Sequence, residues 1–120
     1  MTQFEAKTLS DLHDAREVSI RTEKHPANAV PIWVVVANDE VFVRSAYGAK
    51  GRWYRDLAAG GAATLEFARR RLPVQAIPEG ESAAVEAVSR EYLRKYGPGP
   101  YSEMMVKPEI LPTTLRLDPR

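Results

Sequence analysis

The sequence predicts an α+β fold, a small β-barrel of about six mainly antiparallel strands with peripheral helices. Three observations support it. Short runs of β-branched and aromatic residues recur between turn signals, as in PIWVVV, VFVRS and TTLRL. One longer stretch, Ser82 to Tyr96, instead places apolar residues at helical spacing. No repeat, low-complexity tail or second composition class divides the 120 residues, so a single domain over residues 1–120 is expected. Strands interspersed with helices around one core are the α+β pattern.

In chain order, Thr8-Leu9-Ser10-Asp11 resembles a capping box and opens a short helix through about Ala15. A strand follows in which Val18, Ile20 and Thr22 share one face. Glu23 to Val30, with His25-Pro26 and Asn28, is a polar loop too long for a tight two-residue turn. Ile32 to Val36 is then a continuous strand, Asn38-Asp39 a turn, and Val41 to Ser45 the returning strand. A short helix runs from about Gly51 to Ala59 and stops at Gly60-Gly61. Ala63 to Ala68 and Leu72 to Ile77 pair as a hairpin around the charged turn Arg69-Arg70-Arg71. In the helix Ser82 to Tyr96, Val85, Val88, Tyr92 and Tyr96 lie on one side, while Glu86–Arg90 and Glu91–Lys95 are spaced for i,i+4 pairs. Gly97-Pro98 ends it with a left-handed cap and a residue that cannot continue a helix. Gly97 to Pro112 holds four prolines and two methionines and is read as an irregular excursion. Thr113 to Leu117 is the last strand, with Leu115 and Leu117 inward.

Composition excludes several classes. The absence of cysteine rules out disulfides and thiolate metal sites. A formal charge of +1 argues against a nonspecific nucleic-acid binder. No apolar run approaches the roughly 20 residues of a membrane span, and MTQFEAK lacks a signal-peptide core. The expectation is a cytoplasmic protein without nucleic-acid or membrane partners. His13 and His25 have no carboxylate at a recognisable ligand spacing, so no metal site is expected.

The chemistry concentrates in the stretch PIWVVVANDEVFVRSAYGAKGRWYRDL. From Val41 to Arg55 it carries four cations, Arg44, Lys50, Arg52 and Arg55, and no acid. A tight strand-to-helix connection with free backbone N–H groups, Gly48 and Gly51, and surrounding cations suits a phosphate or another anion. The plain alternative is a hairpin followed by a basic surface loop.

This arrangement resembles the flavin- and deazaflavin-binding split β-barrel proteins, which include the pyridoxamine-phosphate-oxidase-like and deazaflavin-dependent nitroreductase-like groups. There, a strand pair such as PIWVVV and VFVRS leads into a small-residue loop, a Lys or Arg, and a helix like GRWYRDLAAG. The chain also resembles, more closely, a small uncharacterised bacterial family grouped with those barrels. That likeness rests on PIWVV, VRS-x-x-G, GRWYR, AVSREYLRKYG and TTLRLDP, from about Leu9 to Pro119.

The resemblance implies a split barrel, a homodimer with a small-molecule ligand in the groove between subunits, and a deazaflavin or FMN cofactor, or none at all. Such a cofactor brings its own hydride or electron chemistry, so the chain need only anchor its phosphate, cover its ring and admit substrate. The implied cofactor-binding residues are Arg44, Ser45, Ala46, Tyr47, Gly48, Lys50, Arg52 and Trp53, with Arg44, Lys50 and Arg52 as the charge-assisted anchors. Trp33 and Trp53 offer flat surface to an isoalloxazine-like ring, although Trp33 in its valine-rich strand also reads as core. Tyr47, Tyr54 and Tyr101 are candidate proton donors or substrate contacts, and no catalytic residue is assigned. Arg69-Arg70-Arg71 is a solvated turn or a contact to an anionic cofactor tail. An oxidoreductase acting on a small molecule, a noncatalytic binder and a partner-binding dimer all stand at this point.

Overall fold

The computed structural model describes residues 3–120. Seven strands alternate with four helices: α1 (Ala6–Asp14), β1 (Val18–Thr22), β2 (Val30–Ile32), β3 (Val34–Ala37), β4 (Glu40–Val43), α2 (Arg52–Leu57), β5 (Gly61–Phe67), β6 (Arg70–Pro78), α3 (Ser82–Tyr96), α4 (Pro100–Met104) and β7 (Leu115–Pro119). All seven strands form one antiparallel sheet in the order β2-β1-β5-β6-β7-β4-β3. Its two edge strands, β2 and β3, are separated in sequence only by Trp33. The sheet therefore curls until its edges meet, a nearly closed barrel.

That closure explains why the expected continuous strand Ile32–Val36 is two strands. The chain leaves β1 as partner at Ile32, which faces Val18, and takes up β4 at Val34, which faces Val43. Trp33 spans the seam. Pro31 has no N–H to donate and is at home in an edge strand. The same topology explains the unbroken apolar runs around the first hairpin. Val34, Val41 and Val43 face the barrel interior, whereas Val35, Ala37 and Phe42 face a second core with Ala87, Val88, Tyr92 and Met105. A strand covered on both sides loses the polar alternation that marks a half-exposed one.

The interior is filled at period two by Val18 and Ile20, Ala63, Leu65 and Phe67, Val74 and Ala76, and Leu115 and Leu117. Trp53 and Leu57 of α2 plug it with Phe4 and Leu12 from the N-terminal region. β1 and α3 have the expected bounds, and Leu115 and Leu117 are each 1% exposed. The first hairpin turns at Asn38 (φ 52°) and Asp39 (φ 63°), both left-handed, as a two-residue type I′ turn requires.

Several local expectations are corrected. α1 begins at Ala6, two residues before Thr8, whose hydroxyl accepts from Arg70 Nη2 at 3.0 Å rather than capping a helix. The second hairpin turns on Ala68 (φ 49°) and Arg69 (φ 62°), so Arg70 and Arg71 lie in β6. There Arg70 pairs with Asp11 at 3.0 Å and Arg71 approaches Glu66 at 3.6 Å, which removes the free triple-arginine turn. Gly97 is extended (φ −91°, ψ −166°) instead of left-handed. It is glycine for another reason: a Cβ there would lie 2.1 Å from the Leu93 carbonyl oxygen. Glu91 pairs with Arg94 and not with Lys95, whose ammonium turns inward to the carbonyls of Leu12 at 2.9 Å and Val34 at 2.7 Å. The excursion after Gly97 contains α4 and a single 3-10 turn, Leu111–Thr113.

Candidate functional site

A pocket opens at the barrel seam with a volume of about 450 Å³, within the roughly 300–1,000 Å³ of small-molecule sites. Val30, Pro31, Ile32 and Trp33 line one side, Ala46, Tyr47, Gly51, Arg52 and Trp53 a second, and Tyr101, Met104 and Met105 of the α4 region a third. Arg44 completes the lining. The walls are thus aromatic and apolar, with one exposed cation, Arg52.

The aromatic residues divide the work differently from expectation. Trp53 is the core residue, 8% exposed inside the barrel cluster and set edge-to-face on Tyr54 at 6.3 Å. Trp33 is only half-buried and lies flat on Tyr96, ring centres 4.2 Å apart and 4° from parallel. α3 braces that corner further, because the Tyr92 hydroxyl donates to the Trp33 carbonyl at 2.8 Å and the Tyr96 hydroxyl to the Val34 carbonyl at 3.0 Å. These bonds fill acceptors that an edge strand would otherwise leave open. Tyr47 and Tyr101, 83% and 70% exposed, stand at the mouth.

Arg44 is a buried pillar. It is 1% exposed and donates Nε to Thr114 Oγ1 (2.8 Å), Nη1 to Ser89 Oγ (2.9 Å) and the Met105 carbonyl (3.0 Å), and Nη2 to the Val85 carbonyl (2.8 Å). Those four bonds tie β4 to α3, to the end of α4 and to the approach to β7. All run to uncharged oxygens, and burial pulls its pKa below the ordinary value despite the facing Tyr92 ring, 5.5 Å away. With four of five N–H groups engaged, Arg44 can offer a ligand at most one.

The remaining expected residues separate into two sets. Ala46, Tyr47, Arg52 and Trp53 converge on the pocket with Arg44. Ser45, Gly48 and Lys50 are not among its lining residues. Ser45 is fully buried, its N–H donates to Thr113 Oγ1 at 3.0 Å, and its own Oγ has no hydrogen-bond partner among the described residues. Gly51 sits over that hydroxyl so closely that a Cβ would come within 2.4 Å. Gly48 supplies a left-handed turn (φ 66°), and its N–H goes to the Ser45 carbonyl at 3.0 Å, leaving the expected backbone cradle with one donor fewer. Lys50 is exposed on the outer side of this connection. The β2 wall and the Met104-Met105 pair were not singled out from sequence. Their signal is weak: two adjacent methionines in a proline-rich excursion, where an adaptable thioether suits a binding surface.

Among the described residues, no helix is long and apolar enough to cross a membrane. No curated protein matches the chain. Among solved structures, the chain is similar to the conserved hypothetical protein Rv2991 from Mycobacterium tuberculosis. The TM-score is 0.60 at 15% identity, covering 98% of this chain and 80% of that one, a likeness of fold. Residues 8–117 match the family described as uncharacterized protein conserved in bacteria (DUF2255). From within α1 to within β7, the pocket walls included, this chain is a member of that bacterial family, DUF2255.

Proposed function

We propose that the protein binds a planar aromatic anion of the flavin or deazaflavin class in the seam pocket and serves as an oxidoreductase for a small molecule. The observation that carries this reading is the pocket itself: flat aromatic and thioether walls around a volume of about 450 Å³, with Arg52 exposed at the edge. The walls suit stacking on a ring, and a guanidinium suits a phosphate or carboxylate on its tail. When bound, the cofactor supplies hydride or electron transfer, and the chain's residues hold and shield it. Half-buried Trp33 offers flat surface, Met104 and Met105 adapt to the ring edge, and Arg52 holds the anionic end. A homodimer fits the same reading, because the exposed rings of Tyr47 and Tyr101 flank the mouth that a second subunit would cover.

A noncatalytic binder is the second reading. It is favoured by one observation: the pocket lining contains no carboxylate, histidine or lysine. Titration of FMN and of a deazaflavin into the purified protein, followed by tryptophan fluorescence, tests both. Binding with quenching is expected, and Arg52→Ala should weaken it by about 1–3 kcal/mol, the range for a charge-assisted hydrogen bond, at unchanged stability. Lys50→Ala should have a smaller effect, since Lys50 lies off the pocket. Failure of the wild-type protein to bind either compound refutes the flavin-class reading. Binding with no turnover against nitro, quinone or enone acceptors favours the noncatalytic one.

A further inference from the structure

Of the two arginines that line the seam pocket, Arg52 is exposed and Arg44 is 1% exposed, so one charge stands at its rim and the other in its inner wall. Arginine is almost never fully buried unless an acid pairs with it. The oxygens bonded to Arg44 belong to Thr114, Ser89, Met105 and Val85, and all are uncharged. The titratable group that faces it is the Tyr92 phenol, which burial keeps neutral. No carboxylate lines the pocket. The fifth N–H, on Nη2, has no acceptor among the described residues. The hydrogen bonds therefore satisfy four donors and leave the charge itself uncompensated, in a wall whose other side chains are mostly aromatic, aliphatic and thioether. A charge so placed acts strongly on whatever enters the cavity, because a buried wall lacks the solvent that would weaken it.

We propose that the seam pocket takes a flat ring that itself bears an anionic oxygen, a carboxylate or phenolate, and that Arg44 is its counter-charge. This rests on the reading of the pocket as a ring-binding site. Trp33, Arg44 and Arg52 line one cavity, so a ring on Trp33 with its tail at Arg52 turns its inner edge toward Arg44. Arg44 acts there as a fixed charge, because its fork is already spent on the pillar and at most one N–H is left for a ligand. The two arginines together select a ligand that is negative at both ends, one end answering the rim and the other the inner wall. The competing account is mechanical: four neutral oxygens and the Tyr92 ring disperse the charge, Arg44 only braces the sheet, and the pocket is indifferent to charge on the ring.

The test compares a matched pair of probes, 2-naphthoate and its neutral isostere 2-naphthamide, on the Arg52→Ala protein, in which the rim cation is gone and the pillar is intact. Arg44→Met would strip four oxygens of their donor and is expected to unfold, so the pillar is left in place. Calorimetric titration should show 2-naphthoate binding about tenfold more tightly than 2-naphthamide, on the scale of one charge-assisted hydrogen bond. The preference should persist at about 0.5 M salt, since a buried charge is screened far less than an exposed one. In NMR spectra the Arg44 Nε–H signal, held by Thr114 away from solvent, should move with 2-naphthoate and much less with 2-naphthamide. Equal affinity for the two probes, a preference that salt abolishes, or 2-naphthoate binding with an unmoved Arg44 signal each overturns the counter-charge while leaving a ring-binding pocket intact. A preference for 2-naphthoate with a moving Arg44 signal, in a protein whose wild type takes neither FMN nor a deazaflavin, upholds the counter-charge and removes the flavin-class reading. Binding of neither probe overturns the counter-charge whatever the cofactors do.

Discussion

Tyr92 offers the sharpest test of how α3 secures the barrel seam. Its ring is fully buried against Val35, Phe42, Val88 and Met105, below the Arg44 guanidinium at 5.5 Å. Its hydroxyl donates to the Trp33 carbonyl at 2.8 Å, at the residue where the chain passes from β2 to β3. Burial raises the phenol pKa far above its usual value, so the group remains a neutral donor at any working pH. Two substitutions separate ring from hydroxyl. Tyr92→Phe keeps the packing and leaves the Trp33 carbonyl without that donor, a loss of about 1–3 kcal/mol. Tyr92→Ala removes the ring as well and leaves a cavity between α3 and the sheet, a loss of about 3–5 kcal/mol. Against a domain stability on the order of 5–15 kcal/mol, the alanine variant should still fold at low temperature. Urea unfolding of the three proteins gives the differences from the midpoints, provided the slopes agree. A shift below about 0.5 kcal/mol for Tyr92→Ala would place the ring at the surface and refute the packing of α3 on the sheet. Equal losses for Phe and Ala would assign the whole effect to the hydroxyl.

Three further outcomes are expected. Gly97→Ala should destabilise by about 1–3 kcal/mol, because its Cβ meets the backbone oxygen of Leu93 at 2.1 Å and backbone yields less readily than a side-chain end; an unchanged urea midpoint would disprove that close approach. Ala68→Gly should stabilise by up to about 1 kcal/mol by relieving a left-handed alanine at φ 49°, measured as a rise in melting temperature, and a fall would contradict the turn geometry. Lys95, pulled down to about 8 chiefly by burial, holds fewer protons folded than unfolded between about pH 8 and its ordinary value. Its contribution to stability should therefore rise as pH increases through that window, and the stability of wild type relative to Lys95→Met should grow from pH 7 to pH 10; a constant difference would mean that the amine is solvated.

Local pattern carries a definite part of this fold. The alternation Val18, Ile20, Thr22 and the helical spacing through Val88 and Tyr92 each state which face of an element is apolar, and the structure buries those faces. Asn38-Asp39 announced its turn because both residues tolerate left-handed backbone. The aromatic and basic character of the pocket region was likewise legible in VRSAYGAKGRWYR. The tertiary structure alone decided what each face meets. Ile32 to Val36 reads as one strand because nothing in its composition marks Trp33 as the point where two sheet edges join. Arg44 reads as a free cation, yet its oxygen partners lie 41 to 70 residues away, and their convergence makes it a pillar instead of an anchor. His25 carries no ligand spacing in sequence, and its carboxylate partner, Asp56, arrives from a helix 31 residues on. Periodicity is a property of the backbone within a few residues, whereas the partner of a buried charge is set by barrel closure, which brings distant segments to one seam.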